Sequence, residues 1–294
     1  MKNLLINTII LTILLFGTAL ANDGNTKEFE YTLDETYQIA ANGILSLNTE
    51  DADVKIIGSN RKNVHVNVYR KVTLKGIFRN NEDKFKIVVT EKEGHLVIRE
   101  ESERRISIAV GSYSETYKIV IEVPSTVSLK LLGDDDDYII KRIHGKINID
   151  GDDGDVAISH CKSKKITIYL EDGDVEIVDG IGNLIVDLDD GDLTTVNSKF
   201  SNVDITVSDG YLDIETSLYN KGRYQFRTDD GDLKLNITSG GGVFEVRHDD
   251  GRVRTSSAFK ESYSSERKHT FNLPGGQAQL FIKTNDGSVR LTTD

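Results

Sequence analysis

In 294 residues the chain has one cysteine, one methionine, two prolines and no tryptophan. A lone thiol, Cys161, closes no intrachain disulfide, so an oxidising destination would give this fold no covalent staple. Only Pro124 and Pro274 interrupt the supply of backbone donors, which leaves nearly the whole chain free to enter hydrogen-bonded ladders. Positive charge is also scarce: 36 Lys and Arg stand against 48 Asp and Glu, a net charge of −12. No basic face is left to neutralise phosphates, which argues against nucleic acid as a partner.

Long apolar runs are missing except at the start. Lys2 precedes an apolar stretch from Leu4 to Leu20, and Ala19-Leu20-Ala21 leads into polar Asn22. A basic start, an apolar core and an A-x-A ending describe a cleavable signal over residues 1–21. A membrane anchor is the weaker reading, because Asn7 and Thr8 interrupt the run. No cysteine follows the junction, which excludes a lipidated one there. The expectation is an exported bacterial protein, periplasmic, secreted or at the cell surface, with no integral membrane segment after cleavage. Loss of Lys2 moves its charge from −12 to −13.

What the chain does have is one turn, many times over. "LDDGDL" (188–193) has relatives in "GDDGDV" (151–156), "LEDGDV" (170–175), "TDDGDL" (228–233), "HDDGRV" (248–253) and "TNDGSV" (284–289). The glycines Gly154, Gly173, Gly191, Gly210, Gly231 and Gly251 are spaced by 19, 18, 19, 21 and 20 residues. Gly287 follows two periods later, and degenerate copies centre on Asp136, Ala52 and Gly94. Apolar residues flank each turn in alternation: Ile166 and Ile168 before Gly173, Val175 and Ile177 after it, and so on. Period-two alternation on both sides of a turn predicts two short strands, each with one buried face.

Near-constant spacing favours a β-solenoid, or β-helix-like stack, of coils 18–21 residues long, over a β-sandwich of hairpins. On this reading residues 22–125 form an N-terminal β region that caps the stack. Residues 126–294 form the repeat, with an irregular C-terminal cap from residue 256. Seven residues after the glycines comes a column of small residues: Cys161, Gly180, Ser198, Ser217, Thr238 and Ala258. Cys161 is therefore expected as a small side chain in a narrow slot, with neighbouring His160 on the opposite face.

The turns carry more acid than turning requires. The residue before glycine, as in Asp135, Asp153, Asp172, Asp190 and Asp230, suits the turn itself. The residue after it, as in Asp137, Asp155, Asp174, Asp192 and Asp232, does not follow from turn chemistry. Stacked at about 4.8 Å, such carboxylates repel by about 0.9 kcal/mol per pair even in water. Either they are solvated, or cations occupy the two columns as a metal ladder. Calcium is the candidate ion, since it takes carboxylate and carbonyl oxygens. The copies match neither the EF-hand spacing nor the nine-residue calcium-binding β-roll.

The recurring Asp-Gly-Asp-Val/Leu between alternating strands, after Val123-Pro-Ser-Thr-Val-Ser-Leu129, resembles the bacterial putative-adhesin family, a domain of unknown function. The likeness runs from about Glu28 to Asp294, through "ILSLNTEDADVKI" and "LFIKTNDGSVRL". It implies a right-handed β-solenoid-like fold, an exported or surface location, and no catalytic residues to carry over.

A non-enzymatic binding or structural module for an extended partner, glycan or protein, is the expected function. The alternatives are a calcium-stabilised extracellular repeat protein and a carbohydrate-active β-helix enzyme. An enzyme site should interrupt the repeat, and the interruptions are Tyr211, Arg252 and Ser256–Gln279 with its Arg267, Lys268 and His269. These contain no H-x-x-x-H, no G-x-S-x-G and no phosphate loop, so no catalytic residue or cofactor is assigned.

Overall fold

The structure, a computed structural model, describes residues 26–294, and residues 78–81 by their backbone only. The signal segment expected over residues 1–21 lies outside the described residues. All regular elements among the described residues are strands. The amino-terminal ones are β1 (Thr26–Gln38), β2 (Ile44–Asn48), β3 (Asp53–Ser59), β4 (Asn63–Lys92) and β5 (His95–Pro124). Next come β6 (Ser128–Leu132), β7 (Asp137–Lys141), β8 (Ile147–Asp150), β9 (Val156–Ser159), β10 (Ile166–Asp172) and β11 (Val175–Val178). Then follow β12 (Ile181–Asp190), β13 (Leu193–Asp209), β14 (Leu212–Ser217), β15 (Arg223–Asp230) and β16 (Leu233–Ser239). The last are β17 (Gly242–His248), β18 (Val253–Thr255), β19 (Lys260–Ser264), β20 (Lys268–Leu273), β21 (Ala278–Thr284) and β22 (Val289–Thr293).

The two strands around each turn do not pair with each other. Each pairs in parallel with its counterpart in the next coil. Pre-turn strands form one ladder: β2, β6, β8, β10, β12, the second half of β13, and β15. Post-turn strands form the other: β3, β7, β9, β11, the first half of β13, β14 and β16. This is the expected stack of coils rather than a sandwich of hairpins. Inward residues of both ladders meet in one core, from Leu45 and Val54 through Ile168 and Ile177 to Phe226 and Leu235. Nearly every flanking apolar position read from the alternation is buried there, because a strand presents every second side chain to one face.

The stack does not follow chain order. β21 and β22 lie directly on β15 and β16, and the earlier pair β17 and β18 lies beyond them. The final coil is thus slotted between two coils that precede it. Antiparallel β20 and β19 then close the pre-turn ladder beyond β17, so the far end is capped by 260–273 alone.

The near end also departs from expectation. The copy at Gly94 is a hairpin, not a coil: β4 and β5 run antiparallel for their whole length, with Lys92 opposite His95. Glu93 and Gly94 both take positive φ, 52° and 79°, as a two-residue hairpin turn demands. The coil turns need only the glycine positive, at 120° in Gly154 and 138° in Gly191. β5 lays its two ends against β2 and β3, and β1 pairs with β4. The coil Ile44–Ser59 itself pairs straight onto β6 and β7, so the sheet continues unbroken across residue 125. A buried Arg70, bonded through Nη1 to Asp83 and Nε to Glu115, pins the ribbon over this end. Its guanidinium stacks on Phe85, 4.3 Å from the ring centre.

Candidate functional site

The glycine column explains why the turns must stay in register. A Cβ on Gly173, Gly191, Gly210 or Gly231 would come within 2.2 Å of the carbonyl oxygen of the glycine one coil back. Only glycine allows that backbone-to-backbone approach. The preceding aspartates, Asp135, Asp153, Asp172, Asp190 and Asp230, bridge coil to coil by their backbones in one continuous column that includes Asp209. Their carbonyls take up the glycine N–H groups, as in Gly173 N to Asp190 O at 3.1 Å.

The post-glycine aspartates have a function the sequence leaves unexplained. Asp137 Oδ1 accepts the backbone N–H of Asp155 at 2.9 Å, and Asp155 Oδ1 accepts that of Asp174 at 2.9 Å. Asp174 in turn accepts from Asp192 at 2.8 Å, and Asp192 from Tyr211 at 2.7 Å. The column breaks at Tyr211, which has no carboxylate to offer, and resumes where Asp232 accepts from Ser288 N–H at 2.7 Å. Each carboxylate therefore satisfies a backbone donor of the next coil just outside the ladder, where no carbonyl is aligned to take it. The two columns of Asp135–Asp230 and Asp137–Asp232 are rungs of one turn edge. Among the described residues, no three carboxylates, imidazoles or thiolates converge to hold a metal ion.

The column two before glycine behaves differently at the near end. Asp134 and Asp152 contact one another side chain to side chain, which raises the Asp152 pKa above the usual carboxylate range. Partial burial, then the Asp51 charge, raise Asp135 as well. Further along, Asp229 accepts from Asn285 Nδ2 at 2.8 Å and the crowding ends.

Six residues after the glycine positions is a second polar column. Arg142, His160, Asp179 and Asn197 all adopt left-handed backbone, with φ between 49° and 57°. Asp179 takes His160 Nδ1 at 2.7 Å and Asn197 Nδ2, a chain of surface contacts rather than a catalytic dyad. Cys161 next to it is fully buried: its sulfur accepts Ile143 N–H at 3.3 Å, and burial pushes the thiol up to about 11. That thiol is a core residue, as its slot in the small column predicts.

Of the repeat interruptions, the hairpin residues are tied down. Lys268 pairs with Glu245 at 3.0 Å, His269 with Glu261 at 3.0 Å and Arg267 with Asp249 at 3.6 Å. Tyr211 and Arg252 are not. They stand at opposite ends of an open depression of about 500 Å³ on the post-turn face, across the last four coils of the stack. Ser288 and Gly251 add little bulk to its lining, which also includes Lys234, Arg290 and Arg254. Those three occupy the same position in β16, β22 and β18 and are direct register partners, Lys234 to Arg290 and Arg290 to Arg254. Lys234 pairs with Asp213 at 2.8 Å. Arg252, Arg254 and Arg290 make no ion pair or side-chain hydrogen bond with any described residue. The sequence reading found Tyr211 and Arg252 but missed this row. Its signal is the third residue after glycine, which changes from Glu176, Thr194 and Asp213 to Lys234, Arg254 and Arg290.

Three comparisons bear on this geometry. None of the curated proteins matches the chain. A putative adhesin from Bacteroides fragilis is 13% identical over 89% of this chain and 97% of its own, at a TM-score of 0.49. A putative lipid binding protein from Parabacteroides distasonis is 14% identical over 92% and 98%, at a TM-score of 0.41. A putative cell adhesion protein from Clostridium sporogenes is 12% identical over 91% and 100%, at a TM-score of 0.33. The family model of the Toastrack DUF4097 proteins matches residues 43–292, from the first coil of the stack to the last strand, and the chain belongs to that family.

Proposed function

We propose that this protein is an exported, non-enzymatic binding module that recognises an extended partner, glycan or protein, along its solenoid surface. The observation that carries the reading is the pair of parallel ladders, each presenting outward columns at a fixed strand spacing. Such a surface offers the same rung again and again, which suits a polymer more than a compact substrate. Exposed Ile139, Tyr169 and Val243 add apolar contact points to it. The leader-like residues 1–21 support export. The test is binding of residues 22–294 to immobilised glycans and surface proteins, with the partner recovered afterwards and sized. Saturable binding with unchanged partner length is expected; shortened polymer would make the protein an enzyme.

A second reading is favoured by the Asp134–Asp152 contact, where two carboxylates face each other side chain to side chain. Calcium between adjacent rungs at Asp135, Asp137, Asp153 and Asp155 would relieve that crowding and stabilise the stack. Calcium at a hundredfold over its dissociation constant adds about 2.7 kcal/mol per site, a clear rise in melting midpoint that chelator reverses. An unchanged midpoint, at matched ionic strength, leaves a solvated acidic edge.

A further inference from the structure

The arginine row concentrates positive charge that no carboxylate pairs with among the described residues. Stacked like charges on neighbouring strands are destabilising. Yet Lys234, Arg290 and Arg254 lie on consecutive rungs, with Arg252 beside them. Four cations meet two carboxylates, and both carboxylates are engaged: Asp213 by Lys234 and Asp232 by the Ser288 N–H. Acid is plentiful elsewhere, at −12 overall, yet none of it pairs with the three guanidinium groups among the described residues. Arginine, moreover, offers a planar fork that suits carboxylate and ester oxyanions in a bidentate way, which lysine does not.

We propose that this depression is a binding site for an acidic polysaccharide, one that carries carboxylates along its chain. The inference rests on the binding-module reading and names the partner class. From Tyr211 to Arg252 the site crosses three strand spacings, roughly 14 Å, long enough for several sugar units and open at both sides. Tyr211 is 38% exposed and stands at the end away from the unpaired arginines. A sugar ring stacks on that phenol face while carboxylates further along the chain reach Arg290, Arg254 and Arg252. The small lining residues Ser288 and Gly251 leave room for the polymer between them. An anionic membrane fits worse, because a broad planar surface would also meet the acidic turn edge. An acidic peptide would use the arginines but gain nothing specific from the ring platform.

The experiment uses residues 22–294 and polygalacturonate oligomers as the probe, with neutral dextran, poly-glutamate and phosphatidylglycerol vesicles in parallel. Binding to polygalacturonate is expected, weakening as NaCl rises from about 50 to 300 mM. The variant R252Q/R254Q/R290Q should bind about tenfold more weakly or worse, with a midpoint of melting equal to or above the native one. A control of equal charge change, K146Q/K164Q/K199Q, should bind normally, and Y211A should weaken polygalacturonate but not poly-glutamate. Equal binding by the arginine variant overturns the site. Equal affinity for poly-glutamate, or binding to vesicles alone, overturns the polysaccharide. If some other glycan or protein binds both forms alike, the binding-module reading stands and this inference falls; if nothing binds either, both fall.

Discussion

Replacing Asp174 separates the two things a carboxylate does on the turn edge. Its Oδ1 accepts the Asp192 N–H at 2.8 Å, and it stands between Asp155 and Asp192 on the same column. At about 4.8 Å each neighbour costs about 0.9 kcal/mol in water, so removing the charge relieves at most about 1.7 kcal/mol before screening. The bond itself contributes about 1.5–3 kcal/mol with a charged acceptor and about 0.5–1.5 kcal/mol with a neutral one. Asn keeps an acceptor and loses the charge, so D174N should be as stable as the native protein or up to about 1 kcal/mol more stable. Ala loses both, and D174A should fall about 1 kcal/mol below D174N. Urea unfolding at low and high salt reads this out as midpoints at unchanged slope. Salt should shrink the gap between native and Asn, since the repulsion is screened over about 8 Å at 0.15 M. It should leave the gap between Asn and Ala. If Asn and Ala unfold together, the hydrogen-bond account of the column is wrong.

The glycine column predicts that G191A loses at least about 2 kcal/mol, because φ is +138° and the new Cβ would meet the Gly173 carbonyl at 2.1 Å; an unchanged melting midpoint would refute the stacking argument. Removing Arg70 leaves Asp83 and Glu115 without their shared cation, so R70A should cost about 3–5 kcal/mol, whereas R70M/D83L/E115L should recover much of it. Glu100 has both carboxylate oxygens shielded and unpartnered, and burial followed by the Glu50 charge lifts its pKa from 4.5 to about 7. A raised acid is more protonated when folded than unfolded, so its contribution is complete below 4.5 and declines as pH climbs through about 7. E100Q should flatten that decline in melting midpoint against pH; parallel curves for the two proteins would assign the decline elsewhere.

The coil was legible because everything that makes it is local. Ile166, Ile168, Val175 and Ile177 alternate about one glycine, and alternation alone fixes which side chains point inward. Gly94 looked like another copy for the same reason: Ile87, Val89, Leu96 and Ile98 obey the pattern. In a hairpin the flanking strands pair with each other, and in a coil they pair with neighbours, so the same inward set arises from both. What separates them is the turn. Glu93 and Gly94 both take positive φ, whereas at Asp172–Gly173 and Asp190–Gly191 only the glycine does. The post-glycine carboxylates were visible but not explicable, since their acceptor role depends on which N–H of the next coil stands free.

The order of coils was beyond sequence reading for a physical reason that also bears on function. Each coil buries the same kind of apolar pairs, so any coil can stack on any other with similar core energy, and order is decided by how connections reach. Slotting β21 and β22 beneath β17 and β18 places Arg290 between Lys234 and Arg254. In chain order the post-turn rungs would run Lys234, Arg254, Arg290, with Arg290 outermost. The insertion therefore puts Arg290 rather than Arg254 at the centre of the row. The insertion offers no evident gain in burial, since a further coil could stack on the end instead. The row itself stacks three like charges at a cost in repulsion, a cost that a bound polyanion would offset. A row disfavoured by its own electrostatics is where a bound polyanion would contribute most, in a repeat whose other rungs are interchangeable.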